Sequence, residues 1–591
     1  MVLSIQTGAD ALVDTGHLWG PEMFGYRYTG YRALDRFEDQ LADHRTGLIT
    51  WPGGYLSETA IDSYGLAFDG LFDPAADRPG LAEMFDLAHR QGAGLSIVLP
   101  TARYVGDDAT LRADIRAFMG DLLAGQYGPP PATLIFEIGS EFYVNFPDGT
   151  DEAAQYGHVA NIYMEELAAA LNDPQVNLIG LDPEIAVQAG RTLAEDEIIR
   201  DQLSDDSLVE VDQIVHHRFA FLANGVDKGA DQFHEVIEAW RMDAAELGGD
   251  GPDLFLSAYG VGSYTRTEAL QDYLAQDHAA GGTLTSADVD LAARSHDGFE
   301  TFWQDQLILR DYGAEHPRLL LEMLSEYGAE GMVAASSHGS DMIHPGRLTL
   351  DDRTGTAQTF IGQDMLDMMA ESIGGTQSLA INLQNDRTDE VWTYGFENDD
   401  KLVIFLSADS TPPEGVTLNF AGLGTVYRQV SADSLTATVP ENWMDMFGIA
   451  DNPFVDETPE SRTFAMGLRQ SVTPTVDDDG LHVDFSAPNE VIRLSFAKTA
   501  AGAEEIAGFT SGRMMDLGTD WADAPVDAVD AVDLAAFNAD AGLPMLIADD
   551  QPDTAPEDMA LHADAEAGDT GGGADFGFAL ALMPLLFLFG L

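Results

Sequence analysis

Eight short apolar runs that alternate with longer amphipathic stretches constrain the fold of this chain more than any other feature. Stretches such as 80–91, 109–124 and 152–171 carry apolar residues at three-and-four spacing, which is typical of helices that pack on a sheet. Eight β/α units predict an α/β fold, a (β/α)8 TIM barrel over 23–384. An open doubly wound sheet is the alternative, disfavoured because no glycine-rich phosphate loop follows the first run. The strand-like runs lie at 24–31, 47–54, 94–100, 133–141, 185–190, 211–219, 254–260 and 331–338.

After residue 384 the pattern changes to short runs of alternating or β-branched residues separated by turn signals. KLVIFLSA at 401–408 and EVIRLSFA at 490–497 are two of these runs. This texture predicts a C-terminal β-sandwich over 385–498. The N-terminal segment 1–22 is a candidate additional strand of that sandwich.

The charge balance excludes several classes of partner and chemistry. The chain has 28 Lys and Arg against 101 Asp and Glu, a net charge of −73, so it repels nucleic acid and anionic membrane surfaces. It has no cysteine, which excludes disulfides, thiolate metal sites and cysteine nucleophiles. Neither a paired-histidine metal motif nor a G-x-S-x-G elbow is present, so we expect no metal and no cofactor.

The C-terminal part of the chain has a different character. Residues 499–575 read as an acidic, weakly structured spacer, and 576–591 is apolar but shorter than the roughly 20 residues of a membrane span. A lysine-poor, cysteine-free chain of this kind resembles type I secretion substrates, so we expect an extracellular or cell-surface protein. A membrane anchor and a docked terminal element are the alternatives for the tail. Acidity alone would also fit a cytoplasmic enzyme of a salt-accumulating organism. The expected assembly is a monomer or a simple homo-oligomer.

The ends of the predicted strands carry the candidate functional residues, because the active site of a barrel lies at the C-terminal ends of its strands. Aromatic rings there can stack on the apolar face of a sugar, and polar groups can hold its hydroxyls. The sequence therefore predicts a polysaccharide or oligosaccharide partner. The candidate substrate-binding residues are Tyr26, Trp51, Glu137, Ser140, Tyr143, His216, His217 and Tyr259.

Three of these strand ends resemble motifs of one clan of barrel glycosidases, which includes arabinofuranosidases, β-xylosidases and heparanase-like β-glucuronidases. FEIGSE at 136–141 resembles the clan's W-E-I-G-N-E, TWPGG at 50–54 resembles R-W-P-G-G, and VDQIVHHRF at 211–219 resembles V-D-x-I-S-x-H-x-Y. The resemblance covers about 20–500. It implies that Glu141 is the general acid/base and that His216 or His217 faces the substrate; since the two alternate on a strand, only one can do so.

Departures from the clan's pattern fall on polar positions of the site. The strand-seven motif T-E-W-G, which carries the nucleophile, matches SAYG at 257–260, where Ala258 replaces the glutamate. Ser140 stands in place of an asparagine, and Thr50 in place of an arginine. Two hypotheses follow: a secreted glycoside hydrolase-like protein acting on polysaccharide, or a catalytically degenerate carbohydrate-binding or surface-structural protein.

Four further carboxylates are candidates for a role beside Glu141. Glu326 in LSEYG also resembles the nucleophile motif, although the helical spacing before it places it at the wrong end of the barrel. Glu58 and Asp62 are candidate bases for an inverting reaction, or else part of a solvated loop face. Glu137 faces the barrel interior if Glu141 does, and we favour a buried, paired, structural role for it.

Overall fold

The computed structural model describes most of the chain up to residue 517. Asp62, most of the predicted acidic spacer and the apolar tail over 576–591 lie outside the described residues. The described residues are 2–13, 17–28, 34–41, 44–53, 57–58, 66, 79–146, 151–220, 226, 230, 233–261, 266–289, 296, 298–299, 302, 313–338, 361–381, 391–408, 415–419, 426–438, 466–477, 480–509 and 514–517.

Eight parallel strands close into a barrel, which confirms the predicted (β/α)8 fold and rules out the open sheet. The strand β1, Val2–Ser4, precedes the barrel and belongs to the second domain. The barrel strands are β2 (Gly25–Arg27), β3 (Leu48–Trp51), β4 (Gly94–Leu99), β5 (Leu134–Ile138), β6 (Glu184–Gln188), β7 (Gln213–Ala220), β8 (Asp253–Val261) and β9 (Met332–His338).

Helices between the strands cover the outside of the barrel. The helix Asp108–Leu123 shows why they form: Asp107 caps it by accepting a bond from Thr110 N at 3.2 Å, and one face is buried. That face carries Leu111, Ile115, Phe118 and Leu122. The helices are Leu34–Leu41, Leu81–Gln91, Asp108–Leu123, Phe142–Asn145, Glu152–Leu171, Leu193–Arg200, Asp205–Val209, His234–Glu246, Arg266–Ala279, His316–Ala329, Ile361–Ser372 and Ala500–Phe509.

The barrel interior is apolar towards the N-terminal ends of the strands and polar towards their C-terminal ends. One residue from each of six strands forms an apolar floor inside the barrel. Two residues further along the strands, the inward positions become polar, because side chains at i and i+2 share a face. The floor therefore lies beneath a layer of polar inward-facing side chains at the C-terminal end of the barrel, which we call the chamber. The floor residues are Leu48, Ile135, Ala186, Val215, Phe255 and Ala334.

Strand β8 contains a β-bulge that changes which way its side chains face. Val215 pairs with Phe255 and His217 with Ala258, so β8 advances three residues where β7 advances two. A bulge inserts one extra residue and re-aims the side chains after it. Tyr259 therefore faces the opposite way from what simple alternation along the strand predicts.

Two sheets form the second domain, which the sequence predicts as a β-sandwich. Its strands are β10 (Gln377–Ser378), β11 (Val391–Glu397), β12 (Lys401–Ala408), β13 (Val416–Asn419), β14 (Gln429–Thr438), β15 (Met466–Val472), β16 (Thr475–Asp477), β17 (Gly480–Val483), β18 (Val491–Ala497) and β19 (Met515–Asp516), together with β1. One sheet has the strand order β1-β13-β17-β16. The other has the order β10-β11-β12-β18-β14-β15, with β19 paired beside β14. β1 and β13 run parallel, so the N-terminal segment adds a strand to the first sheet. The core includes Leu3, Leu402, Ile404, Leu418, Leu481 and Leu494.

The predicted spacer begins with ordered structure rather than with a weakly structured segment. Residues 500–509 form a helix, and Ile506 and Phe509 are buried against Ala497. The acidic composition concealed these two apolar anchors. Among the described residues, no helix is long and apolar enough to cross a membrane.

Candidate active site

Glu141 stands on a sharp turn directly after β5. Gly139 has φ 77°, and a Cβ there would lie 2.9 Å from Thr101 and Tyr156, so the turn requires glycine. Glu141 itself has φ 47° and ψ 57°, a left-handed conformation that costs a non-glycine residue about 1–2 kcal/mol. Gln188 on β6 accepts a bond from Glu141 N at 3.2 Å. Strain of this kind, held by surrounding contacts, concentrates at functional positions.

The carboxylate of Glu58 accepts hydrogen bonds that hold this turn in place. Its two carboxylate oxygens accept four bonds: from Thr101 N at 2.8 Å, Ala102 N at 2.7 Å, Ser140 N at 2.9 Å and Thr101 Oγ1 at 3.0 Å. Glu58 is 2% exposed, and burial raises its pKa to about 7 despite these bonds. The interpretation of Glu58 as part of a solvated face is wrong. Both oxygens hold the backbone, so Glu58 positions the Glu141 turn and has no oxygen left for a water.

His217 contacts Glu141 and faces the chamber. Its Nδ1 lies 3.2 Å from Glu141 Oε1, and its Nε2 lies 3.7 Å from Glu137 Oε1. Burial alone would lower the pKa of His217, but hydrogen bonds to the two carboxylates outweigh burial and raise it. The other oxygen of Glu141, Oε2, is buried and has no hydrogen-bond partner in the part of the chain that the structure describes.

Glu137 is held by a buried arginine that the sequence analysis did not single out. Arg27 Nη1 and Nη2 both lie 3.2 Å from Glu137 Oε1, and Ser96 Oγ lies 3.4 Å from Oε2. Arg27 is 1% exposed and Glu137 is fully buried. Burial would raise the pKa of Glu137, but Arg27 and then His217 outweigh burial and lower it. This geometry supports the structural role favoured for Glu137. A lone arginine between two tyrosines of an apolar strand was the available signal.

Ser257 and Ala258 lie beside His217 on β8, the seventh strand of the barrel. Ser257 Oγ accepts a bond from Arg27 Nη1 at 2.5 Å and lies 3.4 Å from His217 Nε2. Ala258 is the register partner of His217 across the bulge. The hydroxyl of Ser257 therefore lies inside the chamber, next to Ala258.

Tyr26 and Tyr259 face away from this chamber, which corrects their prediction as substrate-binding residues. They share one register level through Ser337 of β9. The Tyr26 hydroxyl accepts a bond from Gln363 on the helix Ile361–Ser372, outside the barrel. Tyr26 faces outward because its strand neighbour Arg27 faces inward, and Tyr259 does so because of the bulge in β8.

Trp51, His216 and Glu326 also lie away from the chamber. Trp51 is fully buried in the main core cluster that packs around the barrel. His216 stacks on Phe233 at 3.8 Å and bonds Tyr327 at 3.2 Å in the helix layer, which leaves His217 as the inward histidine. Glu326 lies in the last turn of the helix His316–Ala329, which leads into β9 at the N-terminal end of the barrel, opposite to Glu141.

Ser140 and Tyr143 lie beside Glu141. Ser140 Oγ is 3.4 Å from Arg27 Nη2. The Arg191 guanidinium lies 4.7 Å from the centre of the half-buried Tyr143 ring. Burial and then the nearby Glu141 carboxylate raise the pKa of Tyr143. Within the described residues, no group of three His, Asp or Glu side chains is placed to hold a metal ion.

Comparison with known proteins shows the same fold in glycoside hydrolases. The family 51 α-L-arabinofuranosidase AbfB from Bifidobacterium longum shares 12% identity over 81% of this chain and 96% of its own, with a TM-score of 0.53. An α-L-arabinofuranosidase from Thermotoga maritima, solved with arabinose, shares 12% identity over 84% of this chain and 99% of its own, with a TM-score of 0.50. No protein-family model and no curated protein matches the sequence. The likeness therefore shows the fold, a glycoside hydrolase type of barrel followed by a β-sandwich.

Proposed function

We propose that this protein binds polysaccharide in the chamber at the C-terminal end of its barrel, with Glu141 as the carboxylate in contact with the ligand. The observation that carries the proposal is the geometry of Glu141. One of its oxygens is bonded to His217, the other is buried and unpartnered among the described residues, and its backbone is held in a strained turn. Polar groups from several strand ends, with the half-buried Tyr143 ring beside them, surround one carboxylate and suit the hydroxyls of a sugar ring.

Cleavage by the two-step retaining route lacks its second carboxylate in the described residues. That route needs two carboxyl groups about 5–5.5 Å apart, one of them free to attack. Glu137 is bonded to Arg27, and Glu58 holds four groups of the Glu141 turn. The seventh strand of the barrel, β8, carries Ser257 and Ala258 at its chamber end and no carboxylate there. The proposal is therefore binding without retaining hydrolysis.

Hydrolysis with Glu141 as the general acid/base is the second candidate function. The unpartnered Oε2 of Glu141 favours it, because a proton donor needs one oxygen directed at the leaving group. His217 on the other oxygen would hold the carboxyl in place. This route requires a base or nucleophile from outside the described residues.

One experiment separates the two candidates. Wild type, Glu141→Gln and Ala258→Glu are titrated calorimetrically with soluble arabinoxylan, and reducing ends are counted after long incubation. We expect wild type to bind without cleavage, and Ala258→Glu to be labelled covalently by an activated 2-fluoro-sugar. Cleavage by wild type that Glu141→Gln abolishes would establish the second candidate. Absence of binding to arabinoxylan, xylan and β-glucan would overturn the proposal.

We also propose an extracellular or cell-surface location, where polysaccharide is encountered. It rests on the acidic, cysteine-free composition and on the apolar segment at 576–591. Deletion of residues 571–591 should retain the protein inside cells that otherwise release it. Undiminished release of the truncated chain would contradict a role for that segment.

A further inference from the structure

His338 ends barrel strand β9 at the mouth of the chamber. It is the register partner of Arg27, the arginine that faces the interior, and it is 6% exposed. Both of its ring nitrogens are buried, and neither has a hydrogen-bond partner among the described residues. The two histidines of β7 differ from His338 in this respect: His217 bonds Glu141, and His216 bonds Tyr327. A buried, unpaired polar group costs about 1–3 kcal/mol, so one with two free nitrogens requires an explanation.

An aromatic contact holds the His338 ring in place. The ring of Phe219 meets it edge-on, with centroids 5.1 Å apart and an angle of 87° between the planes. Such pairs stabilise a ring orientation without using its polar atoms. The imidazole is thus fixed while both nitrogens stay available.

His338 is neutral over the physiological range of pH. Burial first, and then the positive charges of Arg27 and His217, lower the pKa of His338 to about 3. A neutral imidazole has one N–H donor and one acceptor nitrogen. The neighbouring charges are matched, since Arg27 pairs with Glu137 and His217 with Glu141. Among the residues that the structure describes, the chamber around His338 therefore offers a hydrogen-bond donor and an acceptor but no unpaired cation.

We propose that His338 is a specificity-determining residue whose two ring nitrogens hydrogen-bond hydroxyl groups of a neutral sugar unit, so that the chamber selects neutral sugars over uronic acids. The inference rests on the proposed saccharide binding. A uronate carboxylate would need a cationic partner, and the net charge of −73 would repel an anionic polymer. A sugar hydroxyl supplies both the donor and the acceptor that His338 lacks.

The test compares His338→Phe with His216→Phe, a histidine of the same barrel that lies outside the chamber. Affinity for neutral soluble arabinoxylan and for anionic polygalacturonate is measured by calorimetry, and Tm is measured without ligand. His338→Phe should weaken arabinoxylan binding at least tenfold while Tm stays constant or rises, because two unpaired buried nitrogens are removed. His216→Phe should lower Tm and leave affinity unchanged. His338→Asn, which keeps a donor and an acceptor, should retain more affinity than His338→Phe.

The outcomes separate this inference from the proposed function. If wild type binds neither polymer, the proposed saccharide binding fails and the inference fails with it. If wild type binds arabinoxylan and His338→Phe binds equally well, the inference alone is overturned. Preference for polygalacturonate, or a fall in Tm in His338→Phe as large as that in His216→Phe, would also overturn it.

Discussion

Two buried arginines, Arg27 in the barrel chamber and Arg493 between the barrel and the sandwich, organise networks that differ in completeness. Arg493 Nε and Nη2 bond the two oxygens of Asp433 at 2.9 and 2.7 Å. Its Nη1 bonds Glu371 at 3.0 Å and Met368 O at 3.1 Å. These contacts join the helix Ile361–Ser372 to strands β14 and β18. The Arg493 network thus ties the two domains together.

The chamber network around Arg27 includes atoms that stay unpaired. Glu141 Oε2 and both nitrogens of His338 are buried without hydrogen-bond partners in the residues described here. Each such group costs free energy that a structural network would avoid by pairing it. Between these two networks, the unpaired atoms lie in the chamber, where the proposed ligand would bind, and the Arg493 guanidinium is fully paired. In this comparison, completeness of pairing separates the structural network from the proposed ligand-binding one.

Removing the interdomain arginine should have the largest effect on stability. Arg493→Met would leave the buried Asp433 and Glu371 with only the partly exposed Arg469 as a countercharge, so we expect a loss of about 4 kcal/mol in the free energy of unfolding. Urea denaturation measures it, with Arg493→Lys as the matched control that keeps the charge but loses the two-pronged contact. Saccharide binding by the folded variant should be unchanged. A loss below 1 kcal/mol would show that this network does not hold the domains together.

The sequence predicts the fold well because the signal for it is repeated. Eight runs separated by helical stretches each indicate a strand, and an error in one of them leaves the barrel prediction intact. The signal for the β-sandwich is also repeated, because several runs after residue 384 show alternating or β-branched residues. The helix at 500–509 was missed because its two buried residues lie in a segment whose average composition is acidic.

The sequence predicts the site less well because each site residue depends on one orientation. FEIGSE places Glu137, Ser140 and Glu141 together, as found. Tyr26 is aromatic and lies at the end of a strand, but its neighbour Arg27 faces the chamber, so alternation directs Tyr26 outward. The prediction that Tyr259 binds substrate is wrong for a different reason, because a single extra residue in β8 reverses the direction of its side chain. Bulges leave no distinct pattern in one sequence, so this error needed the structure.

The two glutamates of the FEIGSE motif offer the next comparison. Glu137→Gln would break the Arg27 pair inside the barrel, so we expect a loss of about 3 kcal/mol in unfolding free energy. Glu141→Gln removes a carboxylate with an unpaired oxygen, and its stability should stay within about 1 kcal/mol of wild type or rise. Denaturation curves of the two variants, measured together, test this. Equal losses would contradict the assignment of separate structural and ligand-binding roles.

Stability should also depend on pH through Glu58, beneath the Glu141 turn. Burial raises its pKa from the ordinary 4.5 to about 7 in the folded protein, so the folded state holds its proton more tightly than the unfolded chain. The stabilisation is complete below pH 4.5 and disappears as pH rises through 7. Between pH 5 and 7.5 we expect a loss of about 2 kcal/mol from this group.

Comparison of wild type with Glu58→Gln isolates that contribution. The variant has no titrating carboxyl at this position, so the difference in unfolding free energy between the two proteins should shrink as pH rises from 5 to 7.5. A constant difference across this range would show that Glu58 is ionised in both states.

The smallest effect is expected where the same pairing chemistry is exposed. Arg90 bonds both oxygens of Glu38, at 2.7 and 2.9 Å, nearly the distances between Arg493 and Asp433. The Arg90 and Glu38 side chains are 49% and 32% exposed, however, so water competes for both. A double-mutant cycle with Arg90→Met and Glu38→Gln should give a coupling below about 1 kcal/mol, which salt reduces further. Because the distances match, the cycle separates burial from geometry. A coupling as large as that of a matched cycle with Arg493→Met and Asp433→Asn would show that two-pronged geometry, and not burial, gives the interdomain pair its strength.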